Sequence, residues 1–313
     1  MGHLVIQVEV EAVNINNKGE IQMKLLSKLM LLLAMSSSTA FADGFSASVG
    51  GDYSTGKYGS RESTDVFYMP LSATYDTGAF TYKLTVPWIR VTGTGDITPG
   101  GFGGSSSGSS GSVGAFGCAG DSRNGASKPE DDGPCAGTTT STSTTTIRRR
   151  TTESGLGDIV ASAGYNLINS EATGFIVDLT GRIKFATASE SKGLGSGKAD
   201  FAVQANVDKN FDGGASISAG LGYKWLGEPR GVSYDNVIFG SLGGGYKFTK
   251  MTSVGISYDW ATAAVDGATR PQEMSIYASH FINDQYKLSG VIYSGLSDAS
   301  PDVGGGLTLG SYF

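Results

Sequence analysis

The sequence predicts an all-β fold: an antiparallel, up-and-down transmembrane β-barrel of about twelve strands with one long extracellular loop. Three observations carry that expectation. Segments of about ten residues alternate apolar and polar side chains, the spacing at which one face of a strand meets lipid and the other a lumen. Their connections alternate between tight turns and longer loops. The composition is also unlike that of an ordinary soluble chain, with 48 glycines in 313 residues and only 17% charged residues, against roughly 7% glycine and about 25% charge in soluble domains. With 8 prolines and 10% aromatic residues, the chain is neither collagen nor disordered. An excess of acids (29) over bases (23) argues against a nucleic-acid partner.

The first element precedes the barrel. Met23–Ala42 has the form of a secretory signal, with Lys24 and Lys28 at its positive end, an apolar stretch from Leu29 to Met35, and an Ala40-Phe41-Ala42 cleavage site. That stretch is too short to cross about 30 Å of hydrocarbon. Translation is expected to start at Met23, which makes residues 1–22 an artefactual N-terminal extension; a genuine short pre-sequence is the alternative. The barrel is expected over 43–313.

Twelve alternating segments follow. Phe45–Tyr53 and Val66–Tyr75 lead to the clearest, in which Phe80, Tyr82, Leu84, Val86 and Trp88 share one face and Thr81, Lys83 and Thr85 the other. Ile159–Leu167 is the fourth. In the fifth, Phe175, Val177, Leu179, Ile183 and Phe185 oppose Asp178, Thr180, Arg182 and Lys184. In the sixth, Phe201, Val203, Ala205 and Val207 oppose Asp200, Gln204, Asn206 and Asp208. Ala215–Trp225, Ile238–Phe248, Val254–Trp260, Met274–Ile282, Tyr286–Ile292 and Val303–Phe313 complete the set. The phase of Met274–Ile282 is ambiguous, because Met274, Ile276 and Ala278 compete with Tyr277 and Phe281.

Tight links at Asp76-Thr77-Gly78, Asp212-Gly213-Gly214 and Asn283-Asp284-Gln285 alternate with connections that begin near Thr55, Gly93, Thr187, Gly227, Thr262 and Ser297. A soluble β-sandwich would alternate too. It does not account for aromatic rings at segment ends (Phe80, Trp88, Tyr165, Phe175, Trp225, Phe248, Trp260, Tyr286), where a barrel places its two interfacial girdles. Nor does it account for the ending Tyr312-Phe313 after an alternating strand, the form of signal read by the barrel-assembly machinery. The expected location is the outer membrane of a Gram-negative cell, among its lipids and lipopolysaccharide, with both chain termini periplasmic.

The long extracellular loop is expected over 93–153. It carries a Gly/Ser tract, a Thr/Ser tract, the triplet Arg148-Arg149-Arg150 and the only two cysteines, Cys118 and Cys135. In an exported chain one Cys118–Cys135 disulfide is the simplest expectation, stabilising by about 3 kcal/mol for a loop of that size. The loop is either a flexible cover with a disulfide staple or a lid over the pore. No metal or cofactor is expected, since two thiolates with no histidine nearby do not complete a coordination shell.

An enzyme is not expected. Barrel hydrolases need a general base, normally a histidine, and beyond the signal the chain has only His280, three residues before the Asn283 turn. That is the periplasmic end, so His280 is expected to be an interface or lumen residue. Gly243-Gly244-Gly245 lacks the strand–turn–helix setting of a phosphate loop.

A succession of short Gly-rich motifs points to a family. Ser154-Gly155-Leu156-Gly157-Asp158-Ile159 leads into the fourth segment, Arg182-Ile183-Lys184-Phe185-Ala186-Thr187 ends the fifth, and Leu194-Gly195-Ser196-Gly197-Lys198-Ala199-Asp200 and Gly220-Leu221-Gly222-Tyr223 follow. Over roughly 154–313 this resembles the outer-membrane family named for the MetA pathway of phenol degradation. The chain departs from the family's Pro-Thr-Gly-like step, having Phe185-Ala186-Thr187-Ala188 there. The resemblance implies passage of small, often aromatic or hydrophobic compounds.

A lumen charge cluster is expected as well. Pairing Leu167 with Phe175 across the turn near Glu171 puts Asp158 opposite Lys184 and Val160 opposite Arg182, and the next loop puts Asp200 beside Lys184. Asp158, Arg182, Lys184 and Asp200 would then face the lumen together, either setting a constriction and its ion preference or pairing structurally. The expected function is passive uptake of small solutes through an outer-membrane channel or facilitator. A structural or surface-interaction barrel is the alternative.

Overall fold

Strands with one apolar and one polar face satisfy their backbone groups in a membrane only if the sheet closes on itself. This sheet closes. The computed structural model describes residues 44–60, 62–93, 97–99, 115–117, 150–228, 233–265 and 267–313. The expected extension 1–22, the expected signal 23–42, and Cys118 and Cys135 with their expected disulfide lie outside the described residues.

The strands are β1 (Phe45–Gly56), β2 (Thr64–Asp76), β3 (Phe80–Gly93), β4 (Ile97–Pro99), β5 (Ala115–Gly117), β6 (Thr151–Leu156), β7 (Val160–Ser170) and β8 (Phe175–Lys184). They continue as β9 (Asp200–Asn210), β10 (Ala215–Trp225), β11 (Val237–Lys247), β12 (Thr252–Ala261), β13 (Gln272–Phe281), β14 (Tyr286–Gly295) and β15 (Val303–Tyr312). Each neighbouring pair in the large sheet is antiparallel, and β1 pairs with β2 on one side and β15 on the other, Ser46 facing Tyr312 across the seam. β6 and β7 lie end to end along β3, so together they form one stave. The result is a closed barrel of twelve staves built from thirteen strands, with β4 and β5 paired separately.

The alternation sets the two faces. Leu221, Leu242, Ile292 and Leu307 point outward at 58–63% exposure, among a band of apolar side chains that water would not leave so open. Aromatic rings border this band. Phe80 meets Tyr165 at 4.8 Å and Tyr246 meets Phe248 at 5.0 Å near the short turns, and Trp225 packs on Tyr223 at 4.8 Å near the long loops. No helix among the described residues is long and apolar enough to cross a membrane.

The short turns follow from local chemistry. At the β2–β3 turn the Asp76 carboxylate accepts the Gly78 N–H at 2.7 Å, and Gly78 sits at φ +85, where a side chain would be strained. Longer connections join the opposite strand ends. Phe313 N donates to Phe45 O at 3.0 Å, so the expected assembly signal, Tyr312 and Phe313, borders the closing seam at the short-turn end.

Three features differ from the sequence expectation or resolve it. The fourth stave is interrupted at Gly157-Asp158-Ile159 and resumes as β6, which reaches Thr151 inside the span assigned to the long loop. The cause lies next door: Pro87 faces Pro70 across β2 and β3, and a proline has no N–H to give its neighbour. Gly157 N donates to Pro87 O at 2.9 Å, while Thr187 Oγ1 accepts from Ile159 N (2.8 Å) and donates to Gly157 O (3.0 Å), so the break is fully pinned. Second, the β7–β8 register is not Leu167 to Phe175. Ser170 faces Phe175 and a bulge falls between Asn166 and Ile168, which moves Lys184 opposite Val160 and Arg182 opposite Ser162. Third, on β13 Met274, Ile276 and Ala278 are exposed on the outer face, while Glu273, Ser275 and Tyr277 turn inward.

Candidate functional site

The inward face is where polar chemistry gathers, because every second residue of each stave points there. Lys184 ends β8 and lies directly across from Asp200, the first residue of β9. Its ammonium is 2.8 Å from Asp200 Oδ2 and 3.2 Å from Asp158 Oδ2, and it also donates to Ser196 Oγ at 3.1 Å. Asp158 reaches it from the interrupted stave, not from a paired position. Asp158 Oδ1 accepts the Ala188 N–H at 2.9 Å and Asp200 Oδ1 the Gly227 N–H at 3.0 Å. All three side chains are buried, Lys184 at 3% exposure. Two carboxylates, one ammonium, the Ser196 hydroxyl and two backbone donors therefore meet here.

Arg182 does not join them. It sits one inward step nearer the short turns and donates to Gln204 Oε1 at 2.6 Å, while Gln204 in turn donates to Asn206 Oδ1 at 2.8 Å. The four residues expected as one cluster thus divide into a buried ion-paired triad and a separate lumen arginine.

The connection Phe185–Ala199 covers the triad. Ala188 and Leu194 from this connection pack on Val66 of β2 and on Ile89 and Val91 of β3. A second apolar cluster joins Ala202, Val237 and Phe239 on inward strand positions to Ala264, with Leu226 and Tyr234 against it. These positions break the apolar-out, polar-in rule at the long-loop end, where loops turn in and bury their own apolar residues.

Halfway round the ring lies a constellation that sequence periodicity does not reveal. Tyr293 on β14 donates to Asp52 Oδ1 on β1 at 2.6 Å, reaching across β15. Asp52 is 2% exposed, and Ser54 is also buried beside it. Glu273 and Asp259 face each other across β12 and β13, and Ser257 donates to Asp259 Oδ2 at 3.1 Å. The only available signal was the inward parity of Asp52, Asp259 and Glu273.

His280 lies on the outer face of β13 near the short turns, its Nδ1 2.9 Å from Thr252 Oγ1. Among the described residues no group of three or more His, Cys, Asp or Glu side chains is arranged to hold a metal ion.

A family model described as "Putative MetA-pathway of phenol degradation" matches residues 36–312. No curated protein matches. Among solved structures, the KdgM porin in complex with disordered oligogalacturonate aligns at 8% identity and a TM-score of 0.46, covering 85% of this chain and 99% of that one. The translocator domain of the autotransporter NalP from Neisseria meningitidis aligns at 10% identity and 0.45, covering 94% and 96%. The CymD monoaromatic hydrocarbon channel aligns at 11% identity and 0.41, covering 87% and 89%.

Proposed function

From the premise that the chain belongs to the family described as "Putative MetA-pathway of phenol degradation", we propose that it is an outer-membrane channel for passive uptake of small solutes, aromatic compounds among them. One observation carries this: the barrel wall is apolar outside and its inward face carries charged side chains, Lys83 exposed and Arg182 half-buried among them. A sheet made only to sit in lipid has no need of charged side chains turned inward, whereas a water-filled path does. The short-turn end with both strand termini faces the periplasm, the arrangement of bacterial barrels. His280, the residue a barrel hydrolase would use as base, is instead on the lipid side, with Thr252 for a partner among the described residues.

A second reading has its own observation. The inward-folded Ala188 and Leu194, together with the Phe239 cluster, narrow the barrel near its long-loop end, which favours a structural or surface-interaction barrel. Planar-bilayer recordings and liposome swelling with a panel of aromatic acids and sugars separate the two. Stepwise conductance and solute-dependent swelling are expected; a folded protein that gives neither would favour the structural barrel.

A further inference from the structure

The paired registers place a row of basic residues on the lumen side. Lys83 on β3 faces Ser162 on β7, Ser162 faces Arg182 on β8, and Arg182 faces Ala202 on β9, which faces Lys224 on β10. Long basic side chains thus alternate with small residues on successive staves. Strands lie about 4.8 Å apart, so the backbones of Lys83 and Arg182 are separated by roughly 10 Å. Both side chains are long enough to converge over Ser162.

What sets these two cations apart is their lack of acids. Towards the long loops, Lys184 has two carboxylates and Arg150 has Asp65. By contrast, among the described residues Arg182 has only the neutral Gln204 amide oxygen. Among the described residues Lys83 has no hydrogen-bond or ion-pair partner, and it is exposed on the inward face. Asp178, further down β8, is engaged by Asn166 at 2.8 Å. Two like charges that share one space repel each other, and an oxyanion between them turns that repulsion into two charge-assisted hydrogen bonds. The Ser162 hydroxyl lies between them as a third donor.

We propose that Lys83, Ser162 and Arg182 form an oxyanion-binding site in the lumen, which takes the carboxylate or phosphate group of a small solute as it passes. The site rests on the channel reading for its role, but not for its existence. Lys83 supplies a mobile point charge and Arg182 a planar fork that can hold two oxygens at once. The small Ser162 between them leaves room over the wall for the rest of the solute.

Binding in detergent and permeation in bilayers test the two claims separately. Benzoate and inorganic phosphate are titrated against wild type, K83Q and K83Q/R182Q by calorimetry, with heat-modifiable migration on gels confirming the folded barrel. K83Q removes a charge that has no partner among the described residues, so the fold does not depend on it. Affinity is expected to fall roughly tenfold for each cation removed, and the reversal potential in a KCl gradient is expected to move toward cation preference. Binding of benzoate alone assigns an organic carboxylate; equal binding of phosphate assigns any oxyanion of that size. Wild type that binds neither at tens of millimolar, or K83Q that binds both as tightly as wild type, overturns the site. Binding that depends on Lys83 in a protein that conducts nothing keeps the site and removes the channel.

Discussion

Tyr293 and Asp52, 241 positions apart, share a 2.6 Å hydrogen bond that spans the seam where the last strand meets the first. The tyrosine ring can cross β15 only because Gly304 lies beneath it; a Cβ there would come within 2.4 Å of the ring. Asp52 Oδ2 has no hydrogen-bond partner among the described residues, so the phenol hydroxyl on Oδ1 is the donor that compensates this buried carboxyl. Tyr293→Phe is therefore expected to cost about 1.5–3 kcal/mol, the worth of a hydrogen bond to a charged group. The midpoint of heat-induced loss of compact gel migration reports it. Asp52→Asn combined with Tyr293→Phe should cost less than the sum of the single changes, as contacting partners do. Strict additivity would show that the bond contributes nothing to closure.

Much of the fold was legible because a barrel wall repeats one rule. The face assignments of Phe80–Trp88 and Phe175–Phe185 needed only parity, and the turn positions needed only Asp, Asn and Gly. The register of β7 on β8 was not legible, since the bulge at Asn166–Ile168 leaves no mark in an alternation that simply slips by two residues. The meeting of Lys184 with Asp158 and Asp200 was anticipated from a count that used the wrong pairing, and the interrupted stave supplies the reach that direct pairing does not. Arg182 was grouped with them because it is two residues away, yet one inward step changes its neighbours from carboxylates to Gln204. Lys83 is not legible as a site residue in the sequence, because its significance lies in a row across strands and not along one.

The buried triad makes a stability prediction that differs from a selectivity prediction. Lys184→Met leaves Asp158 and Asp200 facing each other without their shared ammonium. Removing one partner of a buried pair costs about 3–5 kcal/mol. Conversion of Asp158 and Asp200 to Asn in the same chain should restore much of the loss. Urea unfolding of the detergent-solubilised barrel measures both. A Lys184→Met protein that is as stable as wild type yet altered in reversal potential would place Lys184 in the conducting path instead.

Orientation in the membrane is open to direct chemical test. Single cysteines at Lys57, Ser191 and Asp298 lie in connections at the long-loop end, and those at Thr77, Asp212 and Asn283 in turns at the other. An impermeant maleimide added to intact cells should label the first set, and should label the second only after the outer membrane is opened. The opposite pattern would invert the barrel.

The Phe185–Ala199 connection is expected to narrow the lumen, and Leu194 is the residue that holds it. At 2% exposure it packs with Val66, Ile89, Val91 and Ala188 against the inner wall. A carboxylate cannot remain in that cluster unpaired, because its burial costs several kcal/mol. Leu194→Asp should therefore release the connection, while the barrel staves, whose ladders do not involve residue 194, stay closed. Two consequences are separately measurable. Lys192, which in the folded connection donates to Ser154 O at 3.4 Å and lies 4.0 Å from Glu153, should become a site of rapid tryptic cleavage. Single-channel conductance should rise, because the connection no longer occupies the lumen. A variant that is cleaved at Lys192 but conducts as wild type would show that the connection covers the triad without limiting the path.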